Sequence, residues 1–243
     1  VTLAYLPRNA RPTLTEITVH PPGVVFQRPF ANEDGAIAGL DDLSALARRP
    51  PGDLTPTAPP PGRRMFQRGL QTIAWKAQDA DGDRLLYSLR YRRDGDGTWR
   101  ELRSGLLDTI FVWDTTTVAD GRYVVRIEAS DELSNALGQR LAGQLESEAI
   151  TIDNTPPAVT VTVSRTGGTT RLQVEVRDAQ SPIQKLEYSV AGATWQLVLP
   201  ADGLSDSPIE RYEISLSAGQ DERDVVVRAT DQLQNVTSVP AAR

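Results

Sequence analysis

The chain has 243 residues, a formal net charge of −6, 39% hydrophobic residues, 18 glycines, 17 prolines and no cysteine. At roughly 100–200 residues per domain this length predicts about two domains, and the missing cysteines exclude disulfides, thiolate nucleophiles and thiolate zinc sites. Charge is spread evenly, with 18 basic and 21 acidic residues in 1–154 and 8 and 11 in 155–243, so a phosphate backbone finds no electrostatic foothold; nor is there an apolar run of about 18 residues to cross a bilayer as a helix.

In chain order, residues 1–12 read as one apolar strand and a Pro-broken linker. A start on Val1 with no basic and apolar leader is expected of a chain leaving an upstream domain. Short Val/Ile/Thr-rich runs with period-2 alternation then predict strands near 15–19, 71–77, 85–92, 98–102, 110–114, 122–129 and 147–152. Val24–Phe26 reads as a continuation of the first strand, split by His20-Pro21-Pro22-Gly23. Asp-Gly pairs at 81–82, 94–95, 96–97 and 120–121 mark turns.

Between 28 and 68 the alternation fails. The segment is Pro-rich, with one short helical stretch expected at Asp41–Arg48 and extended backbone elsewhere. So long a loop without structure is unusual inside a compact domain. It is either a surface excursion or a docking arm that lies along another subunit or an upstream domain. Phe26, Phe30, Leu40, Leu43, Leu46, Met65 and Phe66 are the apolar anchors such an arm would use.

A second series of strands is expected near 158–164, 170–177, 184–190, 194–199, 210–216, 223–229 and 236–239. It repeats the first. VRIEASDELSN at 125–135 is echoed by VVVRATDQLQN at 225–235, Tyr87-Ser88 by Tyr188-Ser189, Thr98-Trp99 by Thr194-Trp195, and Ala74–Asp79 by Gln173–Asp178. Between the copies stands DNTPP, whose two prolines fix φ and make a stiff linker over 154–157. The domains are therefore expected at 13–153, with the insertion 28–68, and at 158–243. Seven short strands per copy make the fold class all-β, as two tandem immunoglobulin-like β-sandwiches.

IAWKAQD, YSLRYRR, TWREL and DGRYVVRIEASD together resemble a fibronectin type III or related immunoglobulin-like module. That resemblance implies a core Trp75 on the second strand and Tyr87 or Tyr91 on the third. It also implies a tyrosine corner at Tyr123. The second copy departs from the pattern, with Arg223 at the Tyr123 position and Val174 or Glu175 near the Trp75 position. More loosely, DNTPP followed by a sandwich ending in ATDQLQN is similar to the tails of large exported bacterial proteins whose upstream part is a β-propeller.

Asp79, Asp81 and Asp83 alternate around Gly82, in a string similar to the DxDGDxL of cadherin-like and related bacterial repeats. They would suit a calcium ion, which takes six to eight oxygens, or they form a solvated turn. The EF-hand order is absent. Asp153 and Asn154 would add ligands only if that loop lies at their end of the sandwich. Asp131 and Asn135 recur as Asp231 and Asn235, most simply as turn formers.

The four tryptophans raise carbohydrate binding, but Trp75 and Trp113 read as core and Trp99 and Trp195 as a repeated structural position. His20 is the one histidine, beside a proline, and no catalytic triad or phosphate-binding loop is visible. The sequence is thus expected to be a non-catalytic structural and interaction segment, a spacer and docking module in a periplasmic or extracellular assembly. The alternative is a calcium- or carbohydrate-binding accessory module of an extracellular enzyme or adhesin.

Overall fold

A computed structural model describes residues 8–27, 37–40 and 62–242. Phe30, Leu43, Leu46 and the helical stretch expected at Asp41–Arg48 lie outside the described residues. The chain divides into two compact units, Val1–Ile152 and Asp153–Arg243.

The first unit is a two-layer sandwich with a small third layer. One sheet joins β1 (Thr13–Val19), β4 (Leu70–Gln78) and β7 (Ile110–Asp114) in the order β1-β4-β7. The facing sheet runs β10-β8-β5-β6, from β5 (Leu86–Arg93), β6 (Arg100–Leu106), β8 (Gly121–Ser130) and β10 (Ile150–Ile152). A further strand, β9 (Ala142–Glu146), pairs with the far half of β8. Three strands facing four, all paired antiparallel, is a fibronectin type III-like arrangement.

Alternation decides which side chains meet between the sheets. Ile73 and Trp75 on β4, Leu89 on β5, Trp113 on β7, and Val125 and Ile127 on β8 fill the core. Trp75 packs edge-on to Tyr87, with ring centres 5.3 Å apart. Tyr91, Trp113 and Tyr123 form a second aromatic group. The Tyr123 hydroxyl donates to the Ala119 carbonyl at 2.6 Å, which is the tyrosine corner the resemblance implies.

Two local departures from the sequence expectation have clear causes. The strand expected over 147–152 is reduced to β10 (Ile150–Ile152), and β9 (Ala142–Glu146), which was not expected, precedes it; Ser147 separates the two. Its backbone N donates to the Val125 carbonyl, while its Oγ accepts from the Val125 N–H in place of a backbone carbonyl. Val24–Phe26 is not a continuation of β1. It is β2, paired antiparallel with β3 (Arg64–Phe66) in a ribbon of its own.

That ribbon gives the third layer. Val25, Leu70 and Val112 are buried together, with Ile37, Leu40 and Met65 packed against them. Thr72, fully buried, donates its hydroxyl to the Val24 carbonyl at 2.6 Å, and the Val112 N–H donates to the Gly39 carbonyl at 2.8 Å. Residues 70–73 of β4 are therefore buried on both faces, a pattern simple alternation does not anticipate.

The second unit repeats the sandwich without the ribbon. Strands β11 (Ala158–Thr166), β12 (Thr169–Arg177) and β15 (Ile209–Leu216) form one sheet in the order β11-β12-β15. Strands β13 (Ile183–Val190), β14 (Gln196–Val198), β16 (Val225–Asp231) and β17 (Val236–Pro240) form the other, in the order β14-β13-β16-β17. Leu172, Val174 and Val176 on β12 face Ile183, Leu186, Val225 and Val227, and all are essentially inaccessible. Each such side chain contributes on the order of 1.5–3 kcal/mol through burial. Val174 holds the place of Trp75, and a 3₁₀ turn at Glu222–Asp224, capped by the Asp221 carboxylate, replaces the tyrosine corner at Arg223.

Candidate metal centre

In a sandwich of this kind the end of the second strand, the start of the third and the end of the sixth meet at one end of the unit. Asp79 directly follows β4, Asp83 lies in the turn before β5, and Asp131 directly follows β8. The fold thereby gathers three carboxylates whose ligand atoms all lie within 4.8 Å of one another. Asp131 is completely buried.

Asp79 and Asp83 are members of this group. Asp81, between them in sequence, is outside it, and its Oδ2 accepts from the Ala10 N–H at 2.6 Å. Asp131 is the member that local reading of the loop misses, being 48 residues from Asp83. The available signal was its recurrence as Asp231, together with the recurrence of Asp79 as Asp178, each at the end of the corresponding strand. Its side chain does not cap its own turn. Oδ1 accepts from the Leu141 N–H at 2.7 Å and Oδ2 from Asn9 Nδ2 at 2.7 Å.

The remaining contacts are local. Asp79 Oδ1 accepts from the N–H groups of Asp81 and Asp83 at 2.9 and 3.2 Å. Asn135 Nδ2 donates to Asp83 Oδ2 at 2.5 Å. Two oxygens stand apart: Asp79 Oδ2 and Asn9 Oδ1 are wholly buried and have no hydrogen-bond partner. None of the three acids has a cationic partner among the described residues.

The second unit builds the corresponding group from Asp153, Asp178 and Asp231, again within 4.8 Å. Here the protein supplies its own donors. Ser181 Oγ donates to Asp153 Oδ2 at 2.8 Å and the Thr155 N–H to Oδ1 at 3.0 Å. Asn235 donates to Asp231 through both its backbone N–H and its side chain, each at 2.8 Å. Burial raises the pKa of Asp153 to about 6; the Ser181 and Thr155 bonds oppose the rise, and the charges of Asp178 and Asp231 add to it. Asp153 thus belongs to a group of its own rather than to the Asp79–Asp83 loop.

Of the expected docking side chains, the four within the described residues, Phe26, Leu40, Met65 and Phe66, lie on and beside the third layer. Leu40 and Met65 are half-buried against Val25, Leu70 and Val112. Phe26 is half-buried, with the His20 ring edge-on at 4.9 Å. Phe66 is 58% exposed, and its ring closes over Gly23 so tightly that a Cβ there would overlap it.

Trp75 and Trp113 are buried. One face of Trp99 is covered by Arg126 at 4.0 Å, with Arg92 at 4.9 Å, and Trp195 is covered by Arg228 at 4.0 Å. These guanidiniums occupy ring faces a sugar would need. Glu146 is spent in the same outer network, on Arg126 and Arg92.

No family model matches this chain, and no curated protein matches it either. Among solved structures it is similar to chicken CNTN1 FN1-FN3 domains, at 14% identity over 76% of this chain and 73% of that one, with a TM-score of 0.30. The fold assignment therefore rests on the strand order and pairing within each unit, which make the chain a tandem of fibronectin type III-like β-sandwiches.

Proposed function

We propose that the chain is a non-catalytic structural and interaction segment of an exported bacterial protein, working as a spacer and docking module in a periplasmic or extracellular assembly. The observation that carries the reading is how the insertion is held. Its two ends pair as β2 and β3 and bury Val25 completely against the outer face of β4 and β7. A passive excursion has no need of an anchored base, whereas a segment that must present side chains to a protein partner or an upstream domain does. Phe66, exposed beside that base, is the aromatic side chain best placed to make such contact.

Limited tryptic digestion tests the docking role. The chain alone should be cut rapidly between Arg48 and Arg64, and the same bonds should be protected in the parent assembly isolated from its source cells. Equal cutting in both would overturn the docking role. Recovery of the parent protein from the cytoplasmic fraction alone would overturn export.

A further inference from the structure

We propose that the end of the first unit is a calcium site, with Asp79, Asp83 and Asp131 as carboxylate ligands and the Asn9 side-chain oxygen as a fourth. The inference is independent of the docking role, and either can fail alone.

Distance sets the first condition. Calcium binds oxygens at about 2.3–2.6 Å, so two ligands on opposite sides of one ion stand about 4.6–5.2 Å apart. The three carboxylates meet that limit, with ligand atoms no more than 4.8 Å from one another. One ion can reach all three with at most a few tenths of an ångström of adjustment.

The second condition is uncompensated charge. Three carboxylates, one of them fully buried, carry three negative charges, and among the described residues no cation pairs with them. Uncompensated charge in such a place is costly. Asp79 Oδ2 is sealed from solvent and accepts nothing. Asn9 gives an independent sign, because it comes from the segment before β1 and is not an acid. Its Nδ2 is fixed by Asp131 Oδ2 and the Gln139 carbonyl, both at 2.7 Å, which orients the amide. Its Oδ1 is then left buried and unpartnered. Two buried oxygens without a partner, one on Asp79 and one on the Asn9 amide that contacts Asp131, together with an acid group that has no cation among the described residues, suit a bound cation.

In the second unit Ser181 donates into the acid group, to Asp153 Oδ2, whereas in the first unit no donor reaches Asp79 Oδ2. The ligand chemistry selects the ion. All donors are hard oxygens, one of them an amide, with no histidine or cysteine, which suits calcium and does not suit zinc. Magnesium prefers a stricter octahedron with several retained waters.

The test is calorimetric titration of the full chain with CaCl2 after removal of metal, together with thermal melts in calcium and in EDTA. One ion per chain should bind, with a Kd on the order of 10⁻⁴–10⁻³ M, the range of extracellular modules. Asp79→Asn should weaken binding at least tenfold while melting in EDTA no lower than the parent chain. Asn9→Asp should bind calcium more tightly and melt lower in EDTA, because a fourth carboxylate replaces a donor to Asp131. Asp81→Asn should leave the Kd unchanged. No heat and no melting shift at about 10 mM calcium, ten times the upper end of that range, would overturn the proposal. So would binding that survives Asp79→Asn but is lost in Asp178→Asn, since the ion would then belong to the second unit.

Discussion

The side-chain amide of Asn235 donates to the backbone carbonyl of Asp153 at 2.9 Å, joining two residues 82 positions apart in the chain. Its other amide hydrogen goes to Asp231 Oδ2 at 2.8 Å. One buried side chain therefore ties the start of the second unit to the end of β16. Asn235→Ala would leave a carbonyl and a carboxylate oxygen short of a donor inside the fold. Leaving buried acceptors unsatisfied costs about 1–3 kcal/mol each, so the variant should lose on the order of 2–6 kcal/mol. Urea denaturation of the full chain, with hydrogen exchange on β16 to locate the loss, measures it. An unchanged midpoint would show that this amide is dispensable.

Asp153 gives the same end of that unit a pH dependence. Its pKa in the folded unit is raised to about 6 from an ordinary 3.8, chiefly by burial. A group whose folded pKa is raised favours the folded state when protonated. Its contribution is complete below pH 3.8 and is lost as pH climbs through about 6. The second unit should therefore melt higher at pH 5 than at pH 7.5, by an amount equivalent to about 1–3 kcal/mol. Asp153→Asn keeps an acceptor for the Thr155 N–H and adds a donor toward Ser181. It should flatten the profile and raise the melting temperature at pH 7.5. Calorimetric scans of both proteins across this range decide the matter; parallel profiles would count against it.

Tyr123 carries the clearest single difference between the units. Its ring is buried against Trp113 and its hydroxyl reaches the Ala119 carbonyl. Tyr123→Phe keeps the packing and removes the bond, at a cost of about 1–2 kcal/mol. Arg223, at the matching place in the second unit, is exposed and pairs with Asp221 on its own turn. Arg223→Ala should therefore shift stability little. Denaturation curves followed by tryptophan fluorescence report mostly on the first unit, which holds Trp75, Trp99 and Trp113. Equal effects of the two substitutions would mean that the corner bond adds nothing beyond packing.

Strands are legible here because period-2 burial is written into single segments. In β15 the side chains of Glu210, Tyr212, Ile214 and Leu216 all turn inward. Even the exception was readable as a residue type but not as a role, for Glu210 is buried because its Oε1 accepts from the Asp206 and Ser207 N–H groups. What the sequence conceals is set by long-range pairing. The third layer needs residues 24–26 to meet 64–66 across an irregular stretch, and no local pattern marks that ribbon. The acid group is hidden for the same reason. DADGD invites a local reading, while its third carboxylate, Asp131, arrives only through the β5–β8 pairing. The internal repeat was the one route to it, because Asp79 and Asp131 each have a counterpart near the same strand end in the second copy.

Gly143 tests whether this long-range geometry also controls the proposed ion. It lies on β9, where a Cβ would overlap the carbonyl oxygen of Pro12. Its φ is not in the left-handed region, so the demand for glycine is one of space alone. Pro12 is buried and stands three residues after Asn9. Gly143→Ala must push the segment before β1 off the sheet edge, drawing Asn9 away from Asp131. Overpacking of this kind costs about 1–3 kcal/mol, and calcium affinity should fall along with stability. The two effects separate in one experiment. Titration below the variant's own melting temperature should still show a raised Kd, because the folded protein has lost the Asn9 oxygen and not merely some of its population. A variant that is less stable yet binds calcium as the parent chain does would place Asn9 outside the coordination sphere.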